Sequence, residues 1–454
     1  MNGKMTRRSA LRQAAAAGLA GLAVPYAIPS GILARAGGSG ANDRIVLGGI
    51  GVRRMGGALI RRGFARFENV RIAAVADVDF RLAEAIAEPL ERDEVLVGDR
   101  FLPSSAPADL RDVEPYQDYR RLLDRDDIDA VVVATPEHWH GLQCIQAAQA
   151  GKDIYCEKPI SLTVGEGRRM VEAVRKYGCV FQTGTQRRSH AEWRAACMLV
   201  RNGRLGKLQR ATAGNYASPW EPPGLAAQEI PEELDWDMWC GPVQPYPYHD
   251  SIITGEGGPT WRSYRAFAGG DFTNSGSHWL DLVQWGLGAD EGGPIEVWTE
   301  GEPFDSRTAQ APHVYMRYPG DVILECTEGA VPCFIGERGT VTVREGRLVA
   351  DPPELAEASI EDEEIQLYES TNHYENWLEC IRQRRPAAAD EEIGHRSASV
   401  CHLANIARWV SERTRETGQR LHWDPQAERF TNCEWGNHFL DRPRRKPYQL
   451  PESI

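Results

Sequence analysis

What the 454-residue chain lacks narrows its class before any motif is read. Its ten cysteines stand singly between Cys144 and Cys433, with no C-x-x-C pair and no zinc-like Cys/His spacing. That pattern argues against a disulfide framework and a zinc centre, and no metal is expected. Cys144, Cys156 and Cys179 fall in runs that read as core helix or strand, where a thiol packs as a small apolar group. Positive charge is short as well: 52 Lys and Arg against 65 Asp and Glu leave a formal −13. Residues 1–36 carry Lys4, Arg7, Arg8, Arg12 and Arg35 and no acid, so the remainder stands at −18. So acidic a chain argues against nucleic acid as a partner. The run Glu361-Asp362-Glu363-Glu364 reads as a solvated loop. A long apolar run is missing too. The Ala/Gly/Leu stretch from Ala14 to Ala27 is interrupted by Pro25 and followed by Pro29, and it falls short of the ~20 residues a membrane span needs.

What that stretch does have is a preceding Thr6-Arg7-Arg8-Ser9-Ala10-Leu11-Arg12 and a following Ala34-Arg35-Ala36. Together they resemble a twin-arginine export signal with an A-x-A cleavage site, departing from it at Ala10, where a bulkier apolar residue is usual. The expectation is a signal peptide at 1–36, an encounter with the twin-arginine translocation machinery, and a soluble periplasmic or otherwise exported mature protein. The length beyond the leader suits two domains, placed at 37–190 and 191–454.

The first begins with Arg44-Ile45-Val46-Leu47-Gly48-Gly49-Ile50-Gly51, a short buried strand running into a glycine turn and a helix from about Gly56 to Phe67. This is the opening βα of a Rossmann unit. The next strand, Val70 to Ala76, ends at Asp77, 26 residues after Gly51, close to the ~20 expected of the acid that grips a ribose 2′-hydroxyl. Asp77 therefore favours NAD over NADP, and helix capping before Phe80 is a compatible second role. Further strands at Ala130–Ala134, Asp153–Cys156 and Val180–Thr183 alternate with helices, which predicts a parallel doubly wound sheet. The turn Gly51-Val52-Arg53-Arg54-Met55-Gly56 keeps the first and third glycines of G-x-G-x-x-G but puts Arg53 at the second. That arginine either obstructs the dinucleotide or swings out to pair with a phosphate. Retained binding is expected, because Asp77, Thr135-Pro136 and Glu157-Lys158-Pro159 are in place. A lysine at the carboxyl end of a strand, as in Asp153 to Ile160, can donate to a substrate hydroxyl or a ribose.

From about Ala191 the pattern changes to a helix through Leu199, an alternating strand Leu208 to Tyr216, and a Pro/Trp/Gly-rich stretch from Pro219 to Thr260. So long an irregular stretch is a binding loop or an arm onto a neighbouring subunit. Strand-like runs near 295–299, 313–317, 322–327 and 340–343 predict an α+β domain with a mostly antiparallel sheet forming the other wall of a cleft. Two amphipathic helices, Asn372 to Arg382 and His395 to Arg413, are assigned packing roles. The Pro/Arg/aromatic tail from Glu434 to Tyr448 is read as able to embrace another subunit.

Glu157-Lys158-Pro159, preceded by Val131 to His140, and the segment Gly269-Gly270-Asp271-Phe272-Thr273-Asn274-Ser275-Gly276-Ser277-His278-Trp279-Leu280-Asp281 together resemble the Gfo/Idh/MocA family of nicotinamide-dependent sugar and cyclitol oxidoreductases. The resemblance implies an NAD-dependent dehydrogenase that oxidises a secondary hydroxyl of a sugar, cyclitol or polyol, acting as a homo-oligomer. It casts His278 as the base, Lys158 as the group that orients the reacting oxygen and relays the proton, and Asp281 as a holder of substrate hydroxyls. On a helix begun near Ser275, Asn274, His278 and Asp281 share one face. Asn274 stands where the family usually has Asp, and a neutral amide orients a hydroxyl without accepting its proton. Further expected contacts are Gly51, Arg53, Gly56, Asp77, Thr135, Pro136, Glu157 and Lys158 toward the cofactor, His138 or His140 beside the nicotinamide, and Gln186 and Arg262 toward substrate. Trp220, Trp236, Trp239, Trp261 and Trp279 are candidates for stacking on a sugar ring. Two other readings share the scaffold: a redox-neutral glycoside hydrolase or lyase working through a transient keto-sugar, and a sugar-binding protein without catalysis.

Overall fold

The structure, a computed structural model, describes residues 44–454 apart from 89–93, 98–99, 104–109, 111, 223 and 452–453. The leader and its twin-arginine motif lie outside the described residues. Runs of three to seven residues, mostly apolar and buried except at the edge strand β3, build the first sheet from β1 (Ile45–Ile50), β2 (Val70–Ala76), β3 (Glu114–Tyr116), β4 (Ala130–Val133), β5 (Asp153–Cys156) and β6 (Phe181–Thr183). Every pair is parallel and the order is β3-β2-β1-β4-β5-β6, the doubly wound Rossmann arrangement. A two-stranded hairpin, Glu94–Val97 with Arg100–Pro103, is inserted between β2 and β3. The strand order reverses between β1 and β4, so the carboxyl ends of those two strands open a crevice where a ligand can lie.

Helix α1 (Glu137–Gln149) and helix α2 (Val164–Tyr177) follow β4 and β5. The start of α2 is fixed by a capping box. Thr163 Oγ1 accepts from Glu166 N–H, and the Glu166 carboxylate accepts from Leu162 N–H. Gly178, at φ 65°, ends it.

The second sheet has nine strands: β7 (Leu208–Gly214), β8 (Glu296–Glu300), β9 (His313–Arg317), β10 (Ile323–Thr327), β11 (Cys333–Gly336), β12 (Gly339–Arg344), β13 (Arg347–Asp351), β14 (Leu421–Asp424) and β15 (Arg429–Phe430). They run in the order β13-β12-β11-β7-β10-β9-β8-β14-β15, antiparallel throughout except for the β7–β10 pair. Helices α3 (Ala191–Arg201), α4 (Gly270–Asn274), α5 (Gly276–Leu287), α6 (His373–Gln383) and α7 (Glu391–Thr414) complete the architecture. Trp193, Leu280, Val283, Phe334, Leu403 and Ile406 form one core between this sheet, α3, α5 and α7.

The packing of α6 differs. Its Tyr374 and Trp377 meet Phe64 and Tyr155 edge to face, with ring centroids 5.3–6.0 Å apart, so a helix from the second half covers one face of the first sheet. Residue 190 therefore divides the sequence without dividing the cores. The stretch from Pro219 onward docks on its own chain: Asp235 N–H donates to Val78 O (2.9 Å) and Phe80 N–H to Glu233 O (3.1 Å). The tail does likewise. Arg444 pairs with Glu166 and Asp441, and Arg445 Nη2 reaches the Asp237 carbonyl. Tyr448 and Leu450 are buried against the first core. Both segments thus have seats on their own chain, and the first of them supplies Leu234, Met238 and Trp239 to the cleft, as a binding loop does. All ten cysteines are free and eight are buried. Among the described residues no helix is long and apolar enough to cross a membrane.

Candidate active site

A cleft of about 330 Å³ opens at the carboxyl ends of β1, β2, β4 and β5 and is roofed by residues 234–262. At one end lies the turn after β1. Gly51 adopts φ 77°, and a Cβ there would stand 2.7 Å from Thr135 Cγ2. At Gly56 a Cβ would fall 1.8 Å from Gly51 O. Only bare backbone fits these contacts. Arg54, at φ 39°, is the residue that carries the strain of the turn, and its Nη2 reaches Thr254 O on the roof (3.1 Å). Arg53 avoids the left-handed region, and its side chain lines the cleft beside Asp77. The half-buried Asp77 accepts from Val52 N–H (2.9 Å) and Asp79 N–H (3.0 Å), tying the turn to the end of β2. Burial pushes its carboxyl up to about 6 against the pull of those two donors. The N-cap position before Phe80 belongs to Asp79, so Asp77 is not the helix cap the spacing allowed. Bare backbone at Gly51 and Gly56, a cavity above it and Asp77 at its rim together fit a dinucleotide.

The other end is built from buried side chains. Lys158 Nζ donates to Asn274 O (2.8 Å) and lies 3.3 Å from Asn274 Oδ1, and both residues line the cleft. Burial lowers the Lys158 pKa, while Glu157 and Glu137 oppose that shift. Glu157 is held by Gln186 Nε2 (3.0 Å), which also donates to Tyr155 Oη. Glu137, to which the sequence reading gave no role, bridges the two halves. It accepts from Gly269 N–H (2.9 Å) and Thr273 Oγ1 (2.7 Å), and burial raises its pKa to about 7. On the far side, Asn405 Nδ2 donates to Gly269 O (2.7 Å), Asn405 Oδ1 accepts from Ser218 Oγ, and Ser218 is held by Arg408. The segment that presents Asn274 to Lys158 is therefore clamped from both domains.

Four expectations are corrected by side-chain direction. Asp281 points away from the cleft: it is fully buried and paired with Arg188 (2.9 Å), whose other face holds Asp290 (2.7 Å), and it accepts from Ser397 Oγ. His138 turns to Trp239 O (2.9 Å) and packs on Trp239 and Phe267, and burial drops its pKa to about 3. It does not line the cleft; His140 does, with its ring nitrogens 2.7 Å from Thr135 O and Pro159 O. Gln186 is buried and acts on Glu157 rather than facing the cavity. His278 lies one turn beyond Asn274, outside the cleft lining, with its buried Nδ1 lacking a hydrogen-bond partner. Burial and the charges of Lys158, Arg187, His373 and His190 hold His278 well below its ordinary pKa, hence neutral and able to accept a proton.

Thr135, Pro136 and Arg262 line the cleft as expected. Trp239 and Trp261 line it too, whereas Trp236 stacks on Trp239 at 4.6 Å and the Trp279 ring lies 3.4 Å under the Arg187 guanidinium. Glu137 carried one usable signal, an acid directly after Thr-Pro at a strand's carboxyl end. Arg187 and Arg188 carried none. Among the described residues no group of three His, Cys, Asp or Glu is arranged to hold a metal ion.

Two family models match: an oxidoreductase family with an NAD-binding Rossmann fold over residues 45–185, and its C-terminal alpha/beta domain over 202–450. The chain belongs to the Gfo/Idh/MocA oxidoreductase family. Among its relatives, inositol 2-dehydrogenase 1 of Paenarthrobacter aurescens is 32% identical over 160 residues, which is 35% of this chain and 42% of that protein. A glycosyl hydrolase family 109 protein of Shewanella pealeana is 32% identical over 134 residues, 30% of this chain and 27% of that one. The chain thus spans about two fifths or less of these Gfo/Idh/MocA-like relatives. The fold is shared more widely. The WlbA dehydrogenase of Bordetella pertussis, solved with NADH, superposes with a TM-score of 0.54 at 20% identity, covering 84% of this chain and 99% of that one.

Proposed function

We propose that this protein is an NAD-dependent dehydrogenase that oxidises a secondary hydroxyl of a sugar, cyclitol or related polyol. The observation that carries this reading is the placing of Lys158 and Asn274, from two domains, in the same cleft as the Gly51 turn and Asp77. NAD, when bound, supplies the hydride acceptor. Gly51 and Gly56 leave room for the pyrophosphate, Arg53 offers it a positive charge, and Asp77 offers acceptors to a ribose. Lys158 donates to the substrate hydroxyl, favouring loss of its proton, and Asn274 orients that hydroxyl through its amide. The proton is relayed from Lys158, which lines the cleft, to the neutral His278 imidazole within its electrostatic reach. The roof residues Trp239 and Trp261 exclude water from the reacting end. Export by the twin-arginine route, a periplasmic location and assembly into a homo-oligomer belong to the same proposal and rest on the leader and the resemblance.

The likeness to a glycosyl hydrolase family 109 protein supports a second reading, in which a bound NAD is reduced and re-oxidised within one cycle of glycosidic cleavage. The deciding experiment is to denature the purified protein, identify any released nucleotide, and then supply polyols and aryl glycosides. NADH formed from added NAD and a polyol supports the dehydrogenase. Aglycone release without added NAD supports the second reading. A protein that neither carries nor binds NAD is incompatible with both.

A further inference from the structure

At the reacting end of the cleft two bases stand close together, and one of them has no partner among the described residues. Lys158 and Arg262 both line the cleft, and each lies within the other's electrostatic reach. The half-buried Arg262 guanidinium forms no ion pair and no hydrogen bond among the described residues, and it lies 5.9 Å from the Trp261 ring.

Glu157 and Glu137 act on Lys158, but no acid pairs with Arg262 among the described residues. Glu137 is committed to Gly269 and Thr273 and Glu157 to Gln186, and burial pushes both toward their neutral forms. Asp281 is consumed by Arg188. Asn274, the residue nearest Lys158, brings a neutral amide. Arg53 also lacks an ion pair among the described residues, but it stands beside Asp77 at the opposite end, where the phosphates of a bound dinucleotide would meet it.

Resting on the function proposed above, we infer that the substrate is an anionic sugar or polyol, carrying a carboxylate or a phosphate, and that Arg262 is the residue that binds this anion. A planar guanidinium takes a carboxylate or phosphate through two parallel hydrogen bonds. With the anion held there, the rest of the substrate extends toward Lys158, its hydroxyl against the ammonium. The charged group thus selects the substrate and fixes which hydroxyl is presented.

The test is calorimetric titration of the full mature protein, with and without NAD, using D-glucuronate, D-glucose 6-phosphate and D-glucose. At least one of the two anions is expected to bind about tenfold more tightly than glucose, the size of effect a charge-assisted pair gives, and the stronger one identifies the group. Arg262→Gln should abolish that preference, weakening the anion about tenfold more than glucose. Asn274→Asp, which adds a negative charge at the same end, should weaken the anion more than glucose. Equal binding of all three, binding of neither anion, or a preference that survives Arg262→Gln would overturn the inference. Nucleotide release on denaturation reports separately on the dehydrogenase reading, so the two can fail independently.

Discussion

At the phosphate-turn end of the cleft the working surface is backbone: two glycines no side chain can replace and an acid that accepts N–H groups from residues 25 and 2 positions away. At the reacting end it is side chains drawn from far apart, with Lys158 against Asn274 across 116 residues and Glu137 against Gly269 across 132. The first kind of site is fixed by local conformation. The second exists only when two domains have packed, and its precision depends on bonds between them.

That contrast can be broken by four experiments. Lys158→Met should lower kcat/KM by roughly 10²–10⁴ while NAD affinity, measured by fluorescence titration, stays within about threefold of wild type. A parallel loss of NAD affinity would mean that the two ends are not separable. Asp281→Asn, which strands the buried Arg188, should cost about 3–5 kcal/mol in urea unfolding. The kcat of the remaining folded enzyme should hold; a fall in kcat with stability intact would return Asp281 to the substrate. Gly56→Ala, driving a methyl into Gly51 O, should cost roughly 1–3 kcal/mol and weaken NAD more than substrate.

The smallest effect concerns pH. Glu137 titrates near 7 in the folded protein against an ordinary 4.5. A raised carboxyl pKa means that the folded state binds the proton more tightly, so this contribution to stability is complete below about 4.5 and is lost as pH rises through about 7. Glu137→Gln should flatten that part of the stability profile. Because the amide cannot accept from both Gly269 N–H and Thr273 Oγ1 as the carboxylate does, the variant should also loosen Asn274, raising KM more than it lowers kcat. An unchanged profile would show that Glu137 does not titrate in this range.

The same contrast explains what could be read in advance. Strands β1, β2, β4 and β5, the Gly51 turn, Asp77, Lys158 and Asn274 were legible because alternation, glycine placement and strand ends are local properties. Short or exposed strands such as β3, β13 and β15 gave too few residues for a pattern. Side-chain direction was not legible where a distant element decides it. Helical spacing put Asp281 on the face of Asn274, but Arg188, 93 residues earlier, draws it into the core. His138 is taken by the Trp239 carbonyl, 101 residues on. Glu137 looked like an ordinary acid in a helix's first turn, a place that favours acids for their charge alone, and its bond to Gly269 could not be seen from there.

Helix α6 also sets an order of events during synthesis. The ring face of Phe64 and Tyr155 is complete once the ribosome has passed β5, yet its cover, Tyr374 and Trp377, is encoded some 220 residues later. At cellular elongation rates of roughly 5–20 residues per second, the nascent chain holds that sticky surface open for about 11–44 s. The first sheet's core therefore stays unfinished throughout translation of the second, and a chain truncated in between lacks its cover.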